Sequence, residues 1–360
     1  VASTADYRSF SANQERHAAV HTGTHSSELH YIVSDSKRVE SSHETRFEKM
    51  AASGIGRVLR GVGAVAAGGI LYTANQYRIV MTCYTPLPEP RGPTTGVVPS
   101  TASSSATSSE LRDAAAASCR IVFVGDSLVM GVGSSAESWS KGPALPRKAA
   151  ELIARRSRRA DGCEDTVRWS SFAVNGGDVR TLRRQLMPQI RTESAALGRR
   201  EPVAAVVIIC GLNDWKRMLV DFRTPAAFRK DLARLIADIR DELGADVRVV
   251  LPGMPSVVGA PFLGRHFPLR WFIDQVAAAW DSQKVILASS LDRVEFIETV
   301  SFTEIDADAL ELSRGESAEG GVGGGGEEER PPYAPDGLHP NEWGYGMWAE
   351  QIVAKVRWDQ

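Results

Sequence analysis

Residues Arg120–Leu128 read RIVFVGDSL. After Arg120 the next four form an apolar, mostly β-branched run without alternation, so that Arg120–Val124 has the pattern of a strand buried on both faces. Gly125-Asp126-Ser127-Leu128 then marks a turn into a helix. The same sequence of events returns twice. Val167–Ala173 is followed by Asn175-Gly176-Gly177-Asp178, and Val203–Cys210 by Gly211-Leu212-Asn213-Asp214. Val247–Leu251 and Lys284–Ala288 are two further strand candidates. Amphipathic stretches lie between these runs, at Leu145–Ser157, Val179–Leu197, Pro225–Leu243 and Leu269–Asp281, and a last one covers Asn341–Trp358. Within the third of them Phe228, Leu232, Leu235, Ile236 and Ile239 fall on one helical face. Strand–helix alternation of this kind predicts a five-stranded, mainly parallel sheet with helices on both faces, a three-layer α/β/α domain. Ligands of such sheets bind beyond the carboxyl ends of the strands, so chemistry is sought directly after each strand.

Outward from this core the chain changes character. Residues 1–60 are polar and predict a mostly disordered tail. Its His17, His21, His25 and His30 read as solvated residues rather than a metal site, since no carboxylate or cysteine joins them. Residues 61–77, GVGAVAAGGILYTANQY, carry no charge and follow Arg57 and Arg60. The run 61–77, within an apolar segment 61–84, is short for a membrane span, which needs about 20 apolar residues. It is compatible with a membrane anchor, a helix lying on a membrane surface, or a helix packed against the domain. Residues 85–113 are rich in Pro, Ser and Thr and predict a linker, so the folded domain is expected to span 114–360. Inside it, residues 304–332 are acidic and Gly-rich, the composition of a flexible loop.

A net charge of −2, with 42 basic and 44 acidic residues, excludes the basic footprint of a nucleic-acid binder. Four cysteines without a CxxC pair exclude a disulfide scaffold. Cys210, at the end of an apolar run, reads as a small inert core residue.

The polar clusters at the strand ends contain what ester hydrolysis needs: a nucleophile, a base, a group to orient the base, and donors for an oxyanion. Ser127 stands at a strand-to-helix turn. His339 has Asp336 three residues before it, within reach to fix its tautomer. Asn213 offers a side-chain N–H, and Gly176 or Gly177 a backbone N–H without an obstructing side chain. Asp126 and Asp214 are expected to make structural hydrogen bonds near the site. This is not the nucleophile elbow of α/β-hydrolases, which places Gly two residues after the serine; here that residue is Val129.

Gly125-Asp126-Ser127-Leu128, the glycine after the second strand, Gly211-x-Asn213-Asp214 and Asp336-x-x-His339-Pro340 resemble, in order and context, the four signature blocks of the SGNH (GDSL) hydrolase family. The resemblance covers about residues 118–360. It implies a flavodoxin-like fold and cofactor-free, metal-free ester hydrolysis. Ser127 would be the nucleophile, His339 the base and Asp336 its orienting partner. The N–H groups of Ser127 and Gly176, with Asn213, would form the oxyanion hole. Gly176 is favoured by its distance to Leu182, though Asp178 stands where the family commonly has Thr, which leaves Gly177 open. The stretch 70–99 also resembles the apolar-then-Pro-rich leader of some bacterial relatives.

The expected substrate is a small-molecule or lipid ester, lysophospholipids included, with membrane contact through residues 61–77 in view. Met254–Phe272, loop-like and apolar, is a candidate acyl or aromatic pocket; His266 within it reads as a pocket or surface residue. Carbohydrate O-acetyl esters are a competing substrate class. A catalytically silent module that binds esters or glycans is the alternative to an enzyme.

Overall fold

Val203–Ile209 is apolar along its whole length and six of its seven residues are buried. A strand without a polar face can only lie between two covering layers. It is a central strand of a six-stranded sheet in a computed structural model that describes residues 67–98, 119–161, 166–197, 203–254, 260–264, 266–298, 332–356 and 358. The strands are β1 Thr95–Val98, β2 Cys119–Gly125, β3 Val167–Ala173, β4 Val203–Ile209, β5 Arg248–Pro252 and β6 Val294–Ile297. Their order across the sheet is β1-β3-β2-β4-β5-β6. All neighbours run parallel except β1, which is antiparallel to β3. Without β1 this is the 2-1-3-4-5 winding of flavodoxin-like sheets.

The described helices are α1 (residues 67–83), α2 Ser127–Met130, α3 Ala136–Trp139, α4 Ala144–Asp161, α5 Val179–Leu197, α6 Leu212–Asp221, α7 Pro225–Leu243, α8 Leu269–Ser290 and α9 Glu342–Lys355. α4 packs on α9, whereas α5 packs on α7 and α7 on α8, giving a helical layer on each side of the sheet. The helical stripe expected in α7 is the buried one: Phe228, Leu232, Leu235, Ile236 and Ile239. Thr224 caps that helix, its hydroxyl accepting from Ala227 N at 3.2 Å, and Pro225 follows in the first turn, where its missing N–H costs nothing.

The sheet departs from expectation at its edges. Lys284–Ala288 is not a strand but the continuation of α8, whose buried residues Leu269, Ile273, Val276, Trp280, Lys284 and Leu287 keep a spacing of three and four to the end. The true last strand is the four-residue β6. β1 lies inside the stretch expected to be a linker, and pairs Thr95 to Val98 with Ser170 to Val167. The domain also begins earlier than residue 114, since a compact unit runs from Leu71 to Gln360. In α1, Gln76, Tyr77 and Val80 share one helical face turned inward. Gln76 clasps the turn before α8, donating to Phe267 O at 2.9 Å and accepting from Leu269 N at 3.1 Å. Gln76 and Tyr77 of the uncharged run are thus packed against the domain, whereas Leu71 and Tyr72 are exposed. Among the described residues no helix is long and apolar enough to cross a membrane. The tail with its four histidines, residues 61–66 and the acidic Gly-rich stretch through 331 lie outside the described residues.

Candidate active site

β2 and β4 are neighbours at the point where the winding reverses, and their carboxyl ends supply the first two polar clusters. At the end of β2 it is Asp126, not Ser127, that caps the short helix α2, accepting from Leu128 N at 3.1 Å. The Ser127 hydroxyl is therefore free for another partner, and it lies 3.0 Å from His339 Nε2.

His339 sits in a tight loop that leads into α9. Ala334 N donates to His339 O at 2.8 Å and Asn341 N to Pro332 O at 3.0 Å, closing the loop on itself. Within it Asp336 Oδ1 accepts from the backbone N–H groups of Leu338 and His339, both at 3.0 Å, and Oδ2 is 2.6 Å from His339 Nδ1. Burial pushes the Asp336 carboxyl up, but the bonds from the His339 ring and the two backbone N–H groups outweigh it and hold it below its usual range. An ionised carboxylate at Nδ1 places the ring proton there and leaves Nε2 to accept from the serine. Gly133 seats the loop after α2 against this one. Its φ is +99°, and a Cβ there would come within 2.5 Å of Pro340 O and 3.0 Å of His339 Cβ. Tyr345, on α9, donates to Val132 O at 2.6 Å and ties the same two loops from below.

The third wall is the loop after β3. Gly177 donates its N–H to Val174 O at 3.0 Å, and a Cβ on it would press on Leu182 Cδ2 at 2.8 Å. Gly176, at φ +69°, has open space where a side chain would stand, and among the described residues its N–H has no partner. Opposite, Asn213 donates from Nδ2 to Asp126 Oδ2 at 3.0 Å, and its Oδ1 accepts from Lys216 Nζ at 3.3 Å. With both ends of the amide engaged its orientation is fixed, and the second Nδ2–H is left for another acceptor. Asp214 reaches the other way, its oxygens accepting from Val179 N at 3.2 and 3.3 Å while Arg223 Nη2 stands 2.9 Å from Oδ1. Asp178 caps α5 through Thr181 N at 2.9 Å.

Burial dominates the ionisation of the supporting groups. It raises Asp126, against the Leu128 N–H and the nearby Lys216, His339 and Lys284 charges. It lowers Lys216 and pushes Asp214 up to about 7, with Arg223 pulling the other way. It also pushes the buried Cys210 thiol upward, which removes it as a nucleophile.

The structure thus brings Ser127, Asp336 and His339 together with Asn213, and places Gly176 and Gly177 on the adjoining loop. Asp126 and Asp214 lie behind them as hydrogen-bonding supports. His266 is apart, in the turn leading to α8, where its N–H donates to Leu263 O. Two contributors were not anticipated. Lys216 carries a helical-spacing signal, three residues after Asn213. Tyr84, from far upstream, whose hydroxyl pKa is raised by burial and by the nearby Asp336 charge, carries none. Among the described residues no group of three or more His, Cys, Asp or Glu side chains is placed to hold a metal ion.

Several solved structures are similar to part of this chain. A Corynascus thermopiles (Myceliophthora fergusii) carbohydrate esterase family 2 enzyme with a carbohydrate-binding domain is 17% identical, with a TM-score of 0.44, over 67% of this chain and 66% of that one. A member of the lipolytic G-D-S-L family from Veillonella parvula is 16% identical over 66% of this chain and 98% of its own, with a TM-score of 0.36. The acetylxylan esterase Axe2 of Geobacillus stearothermophilus is 15% identical over 68% and 98%, with a TM-score of 0.39. No curated protein matches the chain. The sequence pattern of one family does match, over residues 123–347. That span opens inside β2 just before Ser127 and closes inside α9 just after His339, so it takes in all three strand-end clusters and the loop of Asp336 and His339, and the chain belongs to the GDSL-like lipase/acylhydrolase family.

Proposed function

We propose that this chain is a serine-dependent hydrolase of carboxylic esters that works through an acyl-enzyme. The observation that carries the reading is the relay of 3.0 Å from Ser127 Oγ to His339 Nε2 and 2.6 Å from His339 Nδ1 to Asp336. Ser127 Oγ attacks the ester carbonyl carbon while its proton passes to Nε2. The bond to the alcohol oxygen then breaks and Nε2 gives its proton to the leaving alkoxide. Water, deprotonated by the same nitrogen, attacks the acyl carbon, and Ser127 leaves with the proton returned. Asp336, held ionised, faces the imidazolium that forms in each half-reaction. The negative charge on the carbonyl oxygen is met by the Ser127 N–H, the Gly176 N–H and Asn213 Nδ2–H. Gly176 is the better donor of the two glycines because the Gly177 N–H is already spent on Val174 O. Ser127 opens α2, and the first N–H groups of a helix have no partner within it.

The test is covalent labelling by an alkyl fluorophosphonate together with p-nitrophenyl butyrate hydrolysis by Ser127→Ala. The expected result is an adduct on Ser127 and a loss of about 10⁴- to 10⁶-fold in turnover on substitution. An unlabelled protein, or a variant as fast as the native chain, overturns the proposal; the former outcome leaves a silent binding module.

A further inference from the structure

The family span begins at Phe123, yet the polypeptide upstream of it reaches the catalytic end of the sheet. Tyr84, just past α1, stands edge-on to Phe262 with ring centroids 5.4 Å apart. Its hydroxyl is raised by burial and by the charge of Asp336. Five residues on, Glu89 accepts from Asn175 Nδ2 at 2.9 Å, next to Gly176. Thr94 O then accepts from Ser171 N at 2.7 Å, where β1 begins. The segment 84–94 therefore runs from the Asp336 loop, past the Gly176 loop, to the edge of the sheet.

Under its starting point lies a pocket lined mostly by apolar side chains. One wall is Tyr77, Val80, Met81 and Tyr84, all from α1 and its end; Phe262 and Leu269 face them. Leu338 and Leu212 also line it. Each is the chain neighbour of a polar group of the site, Leu338 of His339 and Leu212 of Asn213, so the pocket reaches residues that adjoin the site. Its one charged lining residue, Lys216, is committed to Asn213.

We propose that α1 completes an acyl-chain site, so that the substrates of this chain are esters of medium-length, unbranched aliphatic acids. The proposal rests on the ester-hydrolase reading above and adds the substrate class and the element that selects it. A sugar ring in this pocket would leave hydroxyl groups without partners, at a cost for each. An alkyl chain loses nothing and gains about fourfold in binding per buried methylene. Because one wall comes from α1 and its end, outside the family span, chain-length preference depends on Tyr77, Val80, Met81 and Tyr84.

The experiment compares kcat/KM for p-nitrophenyl octanoate and acetate in the full chain and in Met81→Trp. Met81 is 40% exposed, so the larger ring can enter the pocket mouth without displacing buried core. The native chain should favour octanoate by about tenfold or more, and Met81→Trp should lower octanoate turnover about tenfold while acetate stays within about threefold. Met81→Ala should move the preference toward dodecanoate. An octanoate-to-acetate ratio that is the same in all three proteins, or a native preference for acetate, overturns the proposal. Calorimetric binding of sodium octanoate, with and without Met81→Trp, gives a readout independent of turnover. Octanoate binding in a protein that neither labels nor hydrolyses leaves the pocket standing and sinks the ester reading. Hydrolysis with an unchanged ratio and no octanoate binding sinks only the pocket.

Discussion

The crevice has two banks built in different ways. On the polar bank carboxylates hold the groups around Ser127 in place: Asp336 holds His339, Asp126 holds Asn213, and Asp214 holds the start of α5 beside the glycine loop. On the apolar bank α1 is docked by packing and by one glutamine, Gln76. The difference follows from the tasks. Proton transfer and oxyanion stabilisation depend on direction, which hydrogen bonds impose. An alkyl chain needs only a shape, and many apolar surfaces provide one. The polar bank lies within the family span, and the α1 wall of the apolar bank lies outside it.

If the banks are separable, damage to one should not depend on what occupies the other. Asn213→Ala removes the oxyanion donor proposed above and should cost about 10²- to 10³-fold in turnover. The loss should be equal for acetyl and octanoyl esters, because the developing oxyanion is the same in both. A loss several-fold larger for one chain length, measured in kcat/KM, breaks the separation. Gln76→Ala is the converse. It removes two hydrogen bonds, one to a buried N–H, at about 1–3 kcal/mol for the group left unpaired. Octanoyl turnover should fall by about threefold to tenfold as the wall loosens, with acetyl turnover unchanged. An equal fall for both esters would mean that α1 supports the catalytic loops rather than the acyl site.

The same contrast governs what could be read from the sequence. The parallel strands are legible because burial on both faces leaves nearly continuous apolar runs; β3 falls on the expected residues. The Asp-x-x-His spacing is legible because Asp336 makes its bonds within three residues of itself. Lys284–Ala288 misleads because its two most strand-like residues, Val285 and Ile286, face outward from α8 at 45% and 40% exposure. The lysine beside them is buried, which no hydropathy pattern announces; its ammonium donates to Pro252 O at 2.8 Å and pairs with Asp281 at 2.9 Å. β1 hides among prolines and threonines because an edge strand needs only one partner. The Asp126–Asn213 bond joins separate blocks of the chain, and nothing local in either block records it.

The smallest effect lies farthest behind the polar bank. Asp214 has a native pKa of about 7 against an ordinary 3.8. The native state therefore holds this proton more tightly than the unfolded chain does, and the stability the group contributes is present below the ordinary value and is lost as pH rises through about 7. Asp214→Asn cannot ionise and keeps a neutral group in place, so it does not suffer that loss. Between pH 5 and pH 8 the melting temperature of the native chain should fall relative to the variant, by about 2–4 °C for each kcal/mol involved. If Arg223 at 2.9 Å instead keeps Asp214 ionised throughout, neither the native nor the unfolded chain changes protonation at this group between pH 5 and pH 8, and the difference in melting temperature stays constant. Asp214 would then be a charge held by its arginine, in the manner of Asp336 and its histidine, and the supports of the polar bank would be ionic throughout rather than ionic at the base and neutral behind the glycine loop.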